Sequence, residues 1–196
     1  MTWIIAIALL IALVAQLRGQ TPYVTVGLHG STGLGYNAAS PAMQPGIEYK
    51  SARMLSLTQG SYSPRVYKNS MTGWSGGFST RNYARVNRWL LAGGGLEYAY
   101  LSTPAWSKSS VWAVAGAAFP LGRSRLYLDY LYPLYDHNHV QSARATVEFG
   151  SARFRPTFGV GLVRFSQPYD CAQCTVSTGA ILEAGVRIML GKMEKP

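Results

Sequence analysis

The chain has 196 residues, of which 48% are hydrophobic and only 13% charged, with 18 Lys+Arg against 8 Asp+Glu and a net charge of +10. That length suits one domain, and a charged share about half the roughly 25% of soluble domains argues against disorder, coiled coil and a salt-bridged helical bundle. The 21 glycines and 13 tyrosines favour strands and turns, and the basic excess suits an anionic partner, nucleic acid or a phosphate-bearing lipid surface.

Residues 3–15 read WIIAIALLIALVA, with no charge until Arg18. As a helix this run would reach about 20 Å, short of the roughly 20 residues that cross a bilayer. It has the length of the apolar region of a secretory signal, with small-residue cut points near Ala15 and Gly19, although Met1-Thr2 lacks a basic residue. Residues 1–19 are expected to be a signal peptide for the Sec route, residues 20–190 the folded domain and 191–196 a short tail. An exported basic chain with no helix-turn-helix or zinc-finger spacing is a poor nucleic-acid binder.

From residue 20 onward no amphipathic helix is visible, and stretches of period two follow one another. Val24, Val26 and Leu28 share one face, opposed by Tyr23, Thr25, Gly27 and His29. Weaker strands are expected over residues 46–50, 54–62 and 74–84. Leu90, Ala92, Gly94, Leu96, Tyr98 and Tyr100 then oppose Gly93, Gly95, Glu97 and Ala99. Residues 110–119 are apolar on both faces, which leaves their phase open. Leu126, Leu128, Tyr130 and Tyr132 oppose Tyr127 and Asp129; Ala143, Ala145, Val147 and Phe149 oppose Ser142, Arg144, Thr146 and Glu148. Phe154, Phe158, Val160 and Leu162 oppose Arg155, Thr157, Gly159 and Gly161, and the last run, 180–190, sets Ala180, Leu182, Ala184, Val186, Ile188 and Leu190 against Glu183, Gly185 and Arg187. The strand count is ten. Eight is the alternative, with 46–62 as one strand and another weak stretch as a loop; single-chain bacterial barrels have even counts.

The connections alternate. Longer segments at 37–45, 63–73, 102–109, 135–140 and 167–177 take turns with short ones at 51–53, 85–88, 120–124 and 150–153. EYKSAR (48–53) and EFGSAR (148–153) both sit at short turns. This is the layout of an antiparallel up-and-down meander with its long loops at one end.

A closed meander has two phases. A soluble, lipocalin-like barrel turns its apolar face inward, and a membrane barrel turns it outward. Glu48, Glu97, Asp129, Glu148 and Glu183 share the non-apolar faces with Lys50, Arg144, Arg155 and Arg187. In a narrow lumen these nine can pair as a charge network, whereas a charge facing lipid at mid-depth costs up to about 2–4 kcal/mol. Glycines 27, 93, 95, 159, 161 and 185 share that face and leave room for long side chains. On the apolar face, Tyr36, Tyr98, Tyr100, Tyr130 and Tyr132 adjoin long loops, while Tyr49, Phe119, Phe149 and Phe154 adjoin short turns. Those are two belts at the heights of two membrane interfaces. The fold class expected is therefore all-β: a closed antiparallel up-and-down transmembrane β-barrel.

With this pattern the chain resembles the small outer-membrane β-barrel proteins of Gram-negative bacteria, the OmpA/OmpX/OmpW-like group, over about residues 21–190. GGGLEYAY (93–100) and the closing strand, EAGVRIML (183–190), carry the likeness. In the closing strand Glu183, Gly185, Ile188 and Leu190 are similar to the signal read by the barrel-assembly machinery; the usual terminal aromatic is absent and residues 191–196 follow. The resemblance implies residence in the cell outer membrane, with outer-membrane lipids including lipopolysaccharide and the barrel-assembly machinery as partners.

Cys171 and Cys174 are the only cysteines. In an exported chain CxxC reads first as a loop disulfide; free thiols, a redox pair or half a zinc site are the other readings. The one dense catalytic candidate is Asp136-His137-Asn138-His139 in a long connection, with Ser142 three residues beyond. It supports an alternative reading as a lipid-A-modifying enzyme or surface hydrolase, but adjacency in sequence does not make a site. No cofactor or complete metal-ligand pattern appears. Arg65, Lys68, Lys108 and Arg164 fall by outer loops, and Arg81, Arg85, Arg88, Arg123, Arg125 and Arg153 near short turns, where they would meet lipid phosphates. The reading preferred is a non-catalytic barrel with a filled lumen and exposed contact loops.

Overall fold

The computed structural model describes residues 20–33, 36–67, 70–102, 107–135, 140–150, 153–165 and 177–190. The expected signal peptide, both cysteines, the Asp136–His139 motif and the tail lie outside them. Ten strands follow in order: β1 Thr21–Gly33, β2 Tyr36–Lys50, β3 Met54–Tyr67, β4 Ser70–Arg85, β5 Leu91–Ser102, β6 Ser107–Leu121, β7 Ser124–Tyr135, β8 Gln141–Glu148, β9 Phe154–Phe165 and β10 Ser177–Met189. Each pairs antiparallel with its chain neighbour, and β1 pairs with β10, which closes the barrel. Closure runs through Val24↔Ile188 to Leu28↔Ala184. Among the described residues no strand is left as a free edge.

Alternation decides which side chains face where. Leu28 is 61% exposed and Leu162 64%, while Glu148, on the opposite face of its strand, is 1% exposed. The undecided strand, β6, turns Val114 and Ala118 inward. Where the lumen nears the short turns, Leu55, Leu57, Leu91 and Ala118 pack with Tyr23, Tyr83, Tyr127 and Met189 in one buried cluster. Two of the short turns use glycine at positive φ, Gly122 (63°) and Gly150 (78°). At Gly122 the link from β6 to β7 is a two-residue hairpin closed by the Leu121↔Ser124 pair, and such hairpins require that backbone region.

Three expected long connections are much shorter. β1 runs to Gly33 and β2 starts at Tyr36; β3 runs to Tyr67 and β4 starts at Ser70; β5 runs to Ser102 and β6 starts at Ser107. Serine, glycine and proline in these stretches read as loop signals, yet strand pairing continues through them: Ser63↔Ser75 and Pro64↔Trp74 extend the β3–β4 ladder. The last two long connections stand near their expected places, since β7 ends at Tyr135 before β8 at Gln141, and β9 ends at Phe165 before β10 at Ser177.

Candidate functional site: the ionic lumen

Period two brings the inward carboxylates and guanidiniums of seven strands into one channel. They fall into two groups. Nearest the short turns, Arg155 Nη1 donates to Glu148 Oε1 at 2.9 Å and to Glu48 Oε2 at 3.4 Å. Arg125 donates to Glu48 Oε1 at 3.1 Å, and Arg187 donates to Glu148 Oε2. The Arg187 guanidinium also lies over the Tyr23 ring, 4.4 Å from its centre, and the Tyr23 hydroxyl donates to Gln59 at 3.0 Å. Three arginines thus share two carboxylates.

The second group lies further toward the long connections. Arg81 donates through Nε to Asp129 at 2.8 Å and through Nη2 to Glu97 at 2.7 Å. The Tyr83 hydroxyl donates to the other Asp129 oxygen at 2.8 Å. Arg144 reaches Glu97 at 3.2 Å, and His29 Nδ1 lies 3.0 Å from Glu183, its direct neighbour across the closing seam. Here two arginines and His29 meet three carboxylates, so the two groups together hold five arginines and five carboxylates. Glycine makes the space. A Cβ on Gly161 would stand 3.2 Å from Arg144 Cγ, and one on Gly159 would stand 3.2 Å from a Glu183 oxygen.

Of the nine charges expected in the lumen, the structure gathers Glu48, Glu97, Asp129, Arg144, Glu148, Arg155, Glu183 and Arg187. Lys50 has the right phase but stands exposed at the last position of β2, beyond the reach of the network. Two arginines expected at the membrane surface, Arg81 and Arg125, belong inside instead. The signal was legible: Arg125 shares phase with Tyr127 and Asp129, and Arg81 shares phase with Ser79 and Tyr83. Arg164 is exposed.

An ionic interior inside an apolar exterior suits only a hydrocarbon surrounding. The chain is a small transmembrane β-barrel. Tyr130, Tyr132, Phe149 and Phe154 are all exposed on its outer surface, at the two heights where a bilayer's interfaces would lie.

Above the charge groups the lumen opens into a cavity of about 240 Å³, bounded by Gln44, Gln59, Ser61, Glu97, Arg144 and Glu183 among others. Trp112 also faces it and donates its indole N–H to the Val140 carbonyl at 2.9 Å. Ser142 Oγ is buried without a hydrogen-bond partner among the described residues. Among those residues no three His, Cys, Asp or Glu side chains converge on a metal position.

No protein-family model matches the chain, and no curated protein does. Solved structures to which the chain is similar include Neisserial surface protein A, at 12% identity and TM-score 0.39, covering 87% of this chain and 96% of that one. KdgM porin, solved in complex with disordered oligogalacturonate, has 9% identity and TM-score 0.41, with 84% and 98% covered. Ail, the attachment invasion locus protein of Yersinia pestis, has 14% identity and TM-score 0.30, with 86% and 97% covered. The fold of this chain is defined by its own strand register and burial pattern.

Proposed function

We propose that this protein is an integral outer-membrane barrel without catalytic activity, which spans the membrane as a filled plug and offers its long-connection end for structural or surface contact. The observation that carries the reading is the paired lumen. Five arginines contact four carboxylates across it and His29 meets the fifth, Glu183, and the Tyr–Leu cluster occupies the short-turn end. Small barrels are filled by their side chains, and open aqueous channels belong to much larger strand numbers. Outer-membrane lipids, including lipopolysaccharide, would surround the aromatic and apolar belt. The barrel-assembly machinery would read the closing strand through Glu183, Gly185, Ile188 and Leu190. Export by the Sec route, with removal of residues 1–19, fits an apolar run too short to span a bilayer.

Membrane fractionation with heat-modifiable gel mobility tests the placement, and planar-bilayer recording tests the plug. The expected result is outer-membrane fractionation, a mobility shift on boiling and no stable porin-like unitary steps. Recovery in the soluble periplasm, or sustained unitary conductance, would overturn the reading.

A further inference from the structure

Among the strand pairs, β2–β3 is incomplete. Its ladder is continuous from Gly46↔Gln59 to Lys50↔Leu55, and beyond that only Met43↔Tyr62 pairs. The register carried onward sets Pro45 opposite Gly60 and Pro41 opposite Pro64. The Pro41 carbonyl is turned toward β3, where the Ser63 hydroxyl donates to it at 2.9 Å. In an antiparallel strand N–H and C=O of one residue point the same way and alternate residues share a side. Pro41, Pro45 and Pro64 are therefore the positions whose donors this seam needs, and proline has none.

The seam is loosely packed as well as unzipped, with room at Gly60 for a Cβ in ordinary van der Waals contact with Pro45. A Cβ built on Gly60 finds its nearest atoms at 3.8 and 3.9 Å, two of them belonging to Pro45. At Gly95, inside a full ladder, the same atom would collide with the Thr80 carbonyl. Pro45 stands about 12 Å from the Lys50 end along the barrel axis, within the hydrocarbon band. Backbone without partners is tolerated at that depth only where it borders protein or a polar cavity. It does border one: Ser40, Gln44, Gln59, Ser61 and Ser63, from the two strands of the seam, all line the lumen cavity.

We propose that the β2–β3 seam is a lateral port through which the hydroxyl-rich, uncharged head of a bilayer amphiphile enters the lumen cavity. Two features select the head. The cavity's charged walls are already engaged with one another, Glu97 with Arg81 and Arg144, and Glu183 with His29. At the port the groups offered are amides and hydroxyls, which suit neutral hydroxyls and give no net attraction to an anion or an ammonium. The acyl chain stays in the bilayer, against the outer surface of Pro45, Gly60 and Tyr62.

The test uses the full chain in phosphatidylcholine vesicles, with Cys171→Ser and Cys174→Ser removing the native thiols and Ser79→Cys as reporter. Ser79 is buried, faces the cavity and pairs with Gln59. N-octylmaleimide, which partitions into the bilayer, is compared with a water-soluble sulfonated thiosulfonate. Replacing Pro41, Pro45 and Pro64 by valine restores three main-chain donors and should slow the octyl reagent about tenfold or more, while the sulfonated reagent labels both proteins alike. Gly60→Val, which packs a branched side chain against Pro45 across the seam, is the second variant and should act in the same direction. Octyl glucoside below micellar concentration should protect the thiol against the octyl reagent, whereas octyl sulfate and octyltrimethylammonium should not. Equal octylmaleimide rates in parent and both variants would overturn the port, and equal protection by all three amphiphiles would overturn the choice of head. A parent protein without heat-modifiable mobility would instead refute the membrane reading on which the port rests.

Discussion

Arg81 and Asp129 meet at 2.8 Å across the lumen, joining β4 to β7, strands with two others between them in the wall. The contact is a strut, and its energetics are asymmetric. A buried ion pair adds little net stability over a well-packed apolar pair, but breaking one side strands a charge at a cost of about 3–5 kcal/mol. Arg81→Ala leaves Asp129 with only the Tyr83 hydroxyl and Glu97 with only Arg144, so a loss at the lower end of that range is expected in urea unfolding from phospholipid vesicles. Combining Arg81→Met with Asp129→Asn should recover most of the loss, since Glu97 keeps Arg144. A single substitution as mild as the double one would show that the strut carries no charge coupling.

The direction of the barrel faces has a simpler check. Val160 is exposed on the outer face of β9, while Gly159 beside it looks inward. Val160→Arg should destabilise the inserted barrel by about 2–4 kcal/mol if it lies near mid-depth, and Val160→Leu by almost nothing. Were this outer face in contact with water instead of hydrocarbon, the arginine would cost almost nothing. The comparison of unfolding midpoints in vesicles therefore reports orientation directly.

Strand phase was the legible part of this molecule, because one register error would move every charge of a strand into lipid. Glu97, Asp129 and Arg187 could be assigned to the lumen from alternation alone. Two things hid the rest. Arg81 and Arg125 sit near strand ends, where a basic residue reads equally well as an interfacial side chain reaching lipid phosphates, and only the phase of Tyr83 and Tyr127 separates the two. The extended ends of β2, β3 and β4 were hidden by composition. Pro41, Pro45 and Ser63 are ordinary turn residues, and their place in a wall follows from neighbours on other strands, which no local pattern encodes. The ionic partners of each arginine were likewise beyond reach, since Arg125 meets Glu48, 77 positions away in the chain.

Space in the lumen is as specific as charge. Gly161 lies on the inner face beside Arg144, and a Cβ there would sit 3.1 Å from the Ala143 carbonyl as well as 3.2 Å from Arg144 Cγ. Gly161→Leu should displace Arg144 from Glu97 and cost about 1–3 kcal/mol by overpacking. Gly161→Leu with Arg144→Ala should cost less than the sum of the two single changes, because the bulky residue then takes the vacated volume. Additivity in that double-mutant cycle would mean the side chains do not share the site.

The closing strand bears two duties that one experiment separates. Ile188 pairs with Val24 on β1, and the Leu190 amide donates to the Pro22 carbonyl at 2.8 Å, so the strand's end holds the seam that shuts the barrel. Leu190 is also exposed to the surroundings, which is where an assembly factor would read it. Leu190→Ser keeps the amide donor and removes the apolar side chain, a change worth about 1–2 kcal/mol of burial at most. If recognition needs that side chain, accumulation of the folded barrel in cells should fall several-fold while spontaneous folding into vesicles keeps its rate. If Leu190 serves only the seam, both should change together and by the small amount its half-buried surface allows.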